Sequence, residues 1–234
     1  MSTTASTATA WTTGRVISKE LPTPTTVRLR LHVEDRQRHW PGQHYLIRLR
    51  APDDYTAQRS YSVASDDSDP LVEFLVEKLP DGEVSGFLAD VAEVGDVLEL
   101  RGPIGRWFLW DNETPALCLV GGSGVVPAVA MTRAARHLGR PELVRVVAVG
   151  RSPEDMPYVD ELTRAGATIA YTRHETGTRA AGPPTAAELT PLLAGSELAY
   201  VCGSSRFARL AEGLLLECGF SPRAIRVEQF GASG

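Results

Sequence analysis

The chain has 234 residues, 43% hydrophobic and 23% charged, with a net charge of −5. That length allows one large or two medium domains with a substantial core, and the near-balanced charge makes nucleic acid a poor partner. No apolar run is long enough to cross a bilayer. Three scattered cysteines, Cys118, Cys202 and Cys218, give no disulfide framework. Neither they nor the five histidines have the spacing of a zinc or iron–sulfur site, so no metal is expected. Met1 to Ala10 has no basic start and no apolar block; it reads as a disordered tail, and a cytoplasmic protein without a membrane is expected.

Charge is uneven along the chain. Residues 1–50 carry 8 bases against 3 acids, and residues 51–114 carry 4 against 15. Trp11 to Ser18 reads as a strand. In Thr26 to Val33 the apolar Val27, Leu29, Leu31 and Val33 alternate with Arg28, Arg30 and His32, the period of a sheet with one wet face. Pro41-Gly42 turns the chain, and Tyr45 to Arg50 alternates again with Arg48 and Arg50 outward. The strands Arg59 to Ser65 and Leu71 to Leu79 follow, then a short helix Val84 to Val91 opened by Asp81-Gly82, then strand Val97 to Leu100. Short strands separated by Gly and Pro turns predict a small antiparallel barrel or sandwich over 11–111.

After the polar linker Asp111 to Pro115 the period changes. Strands Ala116–Val120, Val144–Val149, Ala167–Thr172, Leu198–Cys202 and Ile225–Phe230 alternate with helices Ala128–Leu138, Pro157–Ala165, Thr185–Leu193 and Ser205–Cys218. This order predicts an α/β doubly wound, five-stranded parallel sheet over 115–234. Ligands of such a sheet gather at the carboxyl ends of its strands, here near Gly121, Arg151, Arg173 and Gly203.

Two stretches carry chemistry. Ala57 to Ser65 reads as a strand that sets a cation, an aromatic ring and a hydroxyl on one face, the groups that hold a pyrophosphate and a planar heterocycle; the polar face of an ordinary strand has the same composition. Gly121-Gly122-Ser123-Gly124-Val125-Val126-Pro127 lies at a strand-to-helix turn, where bare backbone and a helix start suit a phosphate and Pro127 suits the first helical turn.

Arg59-Ser60-Tyr61-Ser62, Gly82-Glu83-Val84-Ser85, the glycine turn from Gly121 to Pro127, and Cys202-Gly203 resemble, in this order and spacing, the ferredoxin–NADP⁺ reductase superfamily, as do Pro41-Gly42-Gln43 and Gly102-Pro103-Ile104-Gly105. The resemblance covers about residues 11–234, with an antiparallel barrel as the expected fold of the FAD domain. It implies that Arg59 binds the pyrophosphate of FAD, that Ser60 and Val76 join Tyr61 in that site with Tyr61 packed on the isoalloxazine, and that Ser62 hydrogen-bonds near flavin N5. It further implies that Gly82, Val84 and Ser85 contact the pyrophosphate, that the nicotinamide nucleotide lies over Gly121, Gly122, Gly124 and Pro127, and that Cys202, Gly203 and Glu228 lie near the nicotinamide. Phe230 would shield the flavin, although four residues follow it where plant-type members end on the aromatic. Thr172-Arg173 resembles the Ser-Arg pair that clasps a 2′-phosphate, and with Arg151 it favours NADPH over NADH; Arg179 is a further candidate.

The resemblance implies an FAD-dependent NAD(P)H oxidoreductase lacking an iron–sulfur domain, which takes hydride from NADPH and passes single electrons to a ferredoxin or similar partner of an oxygenase, P450 or other metalloenzyme. The alternatives are a reductase of free flavin, quinone or another small acceptor, and a flavin-binding subunit or sensor with little turnover. Arg28, Arg30, Arg48 and Arg50 are candidates for a basic face toward an acidic ferredoxin.

Overall fold

The computed structural model describes residues 10–177 and 179–230, so most of the expected tail and Gly231 to Gly234 lie outside the described residues. The first half is a six-stranded antiparallel sheet made of β1 (Thr12–Thr23), β2 (Thr26–Val33), β3 (His44–Arg50), β4 (Thr56–Ser62), β5 (Val72–Glu77) and β6 (Val97–Ile104), in the order β4-β3-β6-β1-β2-β5. Its outer strands meet just beyond β4, where Val63 bridges Phe74 and the Ala64 amide donates to the Glu73 carbonyl at 2.8 Å. The sheet thereby curls into a barrel. The alternation in β2 works as expected, with Val27, Leu29 and Leu31 fully buried alongside Ile47, Phe74 and Leu100. The first strand runs five residues past its expected end, through two irregularities in its pairing with β2, which lie between Val16 and Ser18 and between Glu20 and Thr23. The short helix is α1 (Glu83–Gly86), continued by a wider π-type turn, Phe87–Val91.

The second half is a parallel sheet in the order β11-β10-β7-β8-β9, formed by β7 (Ala116–Gly121), β8 (Val144–Gly150), β9 (Thr168–Tyr171), β10 (Leu198–Ser204) and β11 (Ile225–Phe230). The helices α2 (Val126–His137), α3 (Val159–Arg164), α4 (Ala186–Leu193) and α5 (Ser205–Glu217) connect the strands. Two apolar clusters enclose this sheet. One includes Val129, Met131 and Leu162, and the other Leu189, Ala208 and Leu215. The strands are therefore buried on both sides and read as nearly continuous apolar runs. The doubly wound expectation holds. Among the described residues, no helix is long and apolar enough to cross a membrane.

The segment between the sheets is anchored to the second. Trp110 is fully buried, its indole N–H donating to the Thr114 carbonyl at 2.8 Å, and the Leu109 carbonyl accepts from the Tyr200 hydroxyl at 3.0 Å and from Arg226 at 2.6 Å. Phe108 meets Tyr200 edge to face at 5.1 Å. The four outward arginines do not form a free basic face. Arg28 pairs with Glu20, Arg30 with Asp69 at 2.6 Å, Arg48 with Glu99, and Arg50 with Asp54 at 3.3 Å. The acids that alternation could not place lie across from them and cancel their charge.

Candidate functional site

Strand β4 is the edge of the barrel sheet, paired on one side with β3 in a register that sets Ile47 opposite Arg59 and Tyr45 opposite Tyr61. Ser60 and Ser62 fall opposite Leu46 and His44. Successive side chains point to opposite faces. Arg59 and Tyr61 therefore share one face while Ser60 and Ser62 occupy the other, and the single face expected for cation, ring and hydroxyl does not form. The Arg59 guanidinium is exposed, donates only to the carbonyl of its neighbour Gln58 at 2.8 Å, and has no acid within ion-pair distance among the described residues. The Tyr61 ring packs on the barrel core, and burial pushes its phenol well above the ordinary range against the opposing pull of Arg59. Ser62 is 6% exposed.

Next to this strand lies the α1 turn, joined to it by a bond of 2.9 Å from the Tyr55 hydroxyl to Glu83. Gly82 caps α1 without a side-chain hydrogen bond, which leaves the first-turn backbone N–H groups as donors for an anion. The Ser85 hydroxyl is not one of those donors. It is buried, accepts from the Leu79 amide at 3.2 Å and donates to the Gly82 carbonyl at 3.3 Å, so it closes the turn itself. Val84 is buried and offers only its backbone. Val76 is fully buried in the barrel core, opposite Val27, and its side chain lines no site.

In the parallel sheet, β7 ends in a tight turn over Gly122–Val125 that leads into α2, with Pro127 buried in the first helical turn. Gly122 has φ +58 with open space where a side chain would stand, and Gly124 presses on the end of β10, where a Cβ would come within 2.5 Å of the Cys202 carbonyl oxygen. The bare turn and the Cys202-Gly203 strand end are therefore held in contact. Cys202 faces Val120 on one side and Glu228 on the other. Its thiol is fully enclosed rather than open to the cleft, and burial, then the nearby Glu228 charge, holds it far above the ordinary thiol range. Burial also lifts Glu228 from 4.5 to about 7, and its Oε2 is buried without a hydrogen-bond partner. Phe230, at the end of β11 opposite Ser204, packs half-buried against the cluster that joins barrel and sheet.

The loops after β8 and β9 are joined by their backbones. The Thr172 amide donates to the Gly150 carbonyl at 2.9 Å and the Arg173 amide to the Arg151 carbonyl at 2.9 Å, which places two exposed arginines side by side with no acid partner among the described residues. Arg179 is different. It pairs with Glu188 at 2.7 Å and donates to the Gly182 and Pro183 carbonyls, so it closes its own loop and is not available to a phosphate.

These features have the chemistry of two anion cradles, one at the barrel edge and one on the parallel sheet. Residues 13–109 match the model of the oxidoreductase FAD-binding domain. Across almost the whole chain the fold is that of the flavohem-like FAD/NAD-binding domain of nitric oxide dioxygenase from Vibrio cholerae, with a TM-score of 0.83, 22% identity and coverage of 94% of this chain and 98% of the other. A ferredoxin NADP⁺ reductase from Neisseria gonorrhoeae, solved with FAD and NADP, gives a TM-score of 0.78 at 19% identity over 94% of this chain and 98% of the other. The barrel half is thus similar to the oxidoreductase FAD-binding domain, and the chain as a whole has the two-domain fold of these solved structures.

Among curated relatives, this chain is 29% identical over 201 residues to the electron transfer component of toluate 1,2-dioxygenase from Pseudomonas putida, an alignment that covers 82% of this chain and 59% of that protein. The chain spans about half the length of curated relatives such as this one, for example 34% of the reductase component of propane 2-monooxygenase from Rhodococcus jostii. The arrangement fits FAD, because an unpaired guanidinium, a half-buried ring and an uncapped helix turn lie together at the barrel edge. Residues that motif reading did not single out stand between the two halves of the site. They are Glu73, Glu77, Arg133 and Tyr158, with Glu77 reached by Ser123 of the glycine turn. The sequence signal was present in β5, where two glutamates alternate through an otherwise apolar run.

Proposed function

We propose that this protein is an FAD-dependent NADPH oxidoreductase that supplies electrons to a separate one-electron redox protein, such as the ferredoxin of an oxygenase system. When bound, FAD supplies the step that splits a hydride pair into single electrons. Arg59 and the α1 turn at Gly82 to Ser85 bind its pyrophosphate, Tyr61 packs on the ring system, and Ser62, from the other face of the strand end, donates near N5. The turn over Gly122 to Val125 binds the nucleotide pyrophosphate, while Arg151, Thr172 and Arg173 take the adenosine 2′-phosphate. Cys202, Gly203, Glu228 and Phe230 then border the nicotinamide, where the buried thiol and carboxyl exclude water and keep the pocket close to neutral.

The observation that carries this reading is the approach of the glycine turn to the barrel, where the Ser123 hydroxyl donates to Glu77 of β5 at 2.6 Å. It brings the nucleotide cradle to the flavin cradle. The electron-accepting partner is supported by relatives such as the toluate dioxygenase electron transfer component. Because the four barrel arginines are internally paired, a small diffusible acceptor is the second reading. An absorbance spectrum followed through anaerobic titration with NADPH and with NADH tests the proposal. The expected result is a yellow protein bleached by NADPH at lower concentration than by NADH, and a colourless protein that binds neither overturns it. Comparing turnover with ferredoxin and with free FMN then separates the two acceptors.

A further inference from the structure

Strand β5 has two different faces. Val72, Phe74 and Val76 point into the barrel core, whereas Glu73, Leu75 and Glu77 face the parallel sheet, and Leu75 joins the cluster that contains Val125, Val126 and Val129. Glu73 is 4% exposed, and its Oε1 accepts from the Tyr158 hydroxyl at 2.9 Å and from Arg133 Nη1 at 3.0 Å. The rest of the Arg133 guanidinium forks onto Glu161 with two bonds of 2.8 Å, and Nη1 also reaches the Ala64 carbonyl at 3.1 Å. On the barrel side Arg30 Nε stands 3.5 Å from the second Glu73 oxygen.

The spacing of these contacts has a geometric meaning. Glu73 and Glu77 are about 13 Å apart along a strand, and Ser123 and Arg133 are about 15 Å apart along a helical path. The two carboxylates therefore hold the α2 segment at two points, one through Ser123 in the glycine turn that precedes the helix and the other through Arg133 in the body of the helix, about three turns later. Tyr158 adds a further sign of constraint. It occupies φ 60, ψ 14, a left-handed conformation that is costly for an aromatic residue, and the guanidinium groups of Arg28 and Arg133 stand 5.8 Å and 5.5 Å from its ring centroid.

The seam is buried and ionic at Glu73, whereas the Glu77–Ser123 contact is exposed and carries a single charge; a buried ion pair is a poor way to gain stability, because an apolar contact of the same size does as well. What it adds is register. Leu75 alone tolerates sliding of α2 along β5, whereas only one alignment satisfies both glutamates at once. We infer that Glu73 and Glu77 of β5, with Arg133, Tyr158 and Ser123, form a clamp that fixes the glycine turn over the barrel edge, and that Arg133 and Tyr158 are positioning residues for transfer from nucleotide to flavin. The inference rests on the NADPH oxidoreductase reading for its kinetic consequence, but not for its geometry.

The test uses the full chain in a Cys218→Ser background, with spin labels on Leu21→Cys in the barrel and Leu216→Cys on α5, both exposed positions away from the site. The unmodified clamp gives a single narrow distance, and Tyr158→Phe and Arg133→Gln each broaden it, in the absence of added flavin and nucleotide as well as in their presence. In stopped flow at saturating NADPH, the flavin reduction rate falls about tenfold, with FAD content and nucleotide Kd unchanged, because a displacement near 1 Å is enough for such a loss. A Glu73→Ala, Tyr158→Phe double variant loses no more than Glu73→Ala alone. If Arg133→Gln does not fold, Tyr158→Phe, which removes one oxygen, decides. Distances that stay narrow, or rates that stay unchanged while the distances broaden, overturn the inference. Failure of NADPH to reduce the unmodified protein overturns the proposed function instead, and the distances still judge the clamp.

Discussion

Glu228 sits directly beside Cys202 across the β10–β11 ladder, with its Oε2 buried and without a hydrogen-bond partner. Desolvation disfavours the charged form, so the carboxyl is raised from 4.5 to about 7. A folded-state value above the unfolded one means that the native chain holds an extra proton between these limits. The stabilisation is complete below about pH 4.5 and is lost as pH rises through about 7. The rise from 4.5 to about 7, at about 1.4 kcal/mol for each pH unit, bounds the whole effect at about 3.5 kcal/mol. Glu228→Gln keeps the shape and removes the titration. Its melting temperature should exceed that of the unmodified protein by a few degrees at pH 8 and match it near pH 5. Scanning calorimetry across that range checks the prediction, and parallel curves for the two proteins would refute it.

The two faces of β4 separate flavin affinity from flavin chemistry. Arg59 has no competing acid, so Arg59→Ala should raise the FAD Kd by about 10- to 100-fold, the range for a lost hydrogen bond to a charged group. Ser62 lies on the opposite face, buried next to His44. Ser62→Ala should keep FAD bound and slow its reduction by about 100-fold, the lower end for loss of one donor at a reacting atom. Equilibrium binding and stopped flow on the same preparations distinguish these outcomes, and a Ser62→Ala protein reduced at the unmodified rate removes the assigned role.

The adjacent Arg151 and Arg173 predict nucleotide preference. Removing both as Arg151→Gln, Arg173→Gln should raise the KM for NADPH by about tenfold or more and leave that for NADH unchanged, since only the former carries the 2′-phosphate. Arg179→Gln serves as the control. Because that guanidinium is committed to Glu188 and three carbonyls, its loss should lower stability and leave the NADPH-to-NADH ratio alone.

What could be read from the sequence follows from which interactions are local. Alternation in Thr26–Val33, the apolar strands of the second half and the glycine turn before Pro127 all depend on neighbours within a few residues, and each formed as expected. Pairing across the fold is a different matter. Arg48 meets Glu99 and Arg133 meets Glu73 over separations of 51 and 60 residues, and nothing in the periodicity of one strand specifies a partner that distant. The supposed basic face was lost for that reason. Ser62 failed differently. Its position next to Tyr61 already placed it on the other side of the pleat, so the single-face expectation conflicted with a rule the sequence itself supplied. The left-handed backbone at Tyr158 had no signal, because an aromatic residue is the wrong type for that conformation.

Gly124 joins the nucleotide cradle to the strand end at Cys202, and it allows the most economical test of that junction. A Cβ there would lie 2.5 Å from the Cys202 carbonyl oxygen and 2.7 Å from the Gly203 Cα, both backbone atoms that cannot rotate aside. Gly124→Ala must therefore push the turn away from β10. The neighbouring Gly122 has open space around it, but its φ of +58 carries a strain for any side chain of about 1–2 kcal/mol. The two substitutions should differ in kind. Gly124→Ala should displace the whole turn, weaken NADPH binding by at least about tenfold, and cost about 1–3 kcal/mol as an overpacked contact, while the barrel keeps its FAD. Gly122→Ala should lower stability less and weaken NADPH only modestly, because its clash is conformational and local. Nucleotide titration with flavin fluorescence as an internal measure of barrel integrity checks both. Equal loss of FAD and NADPH in Gly124→Ala would mean that the turn supports the barrel as well, and would refute the separation of the two cradles.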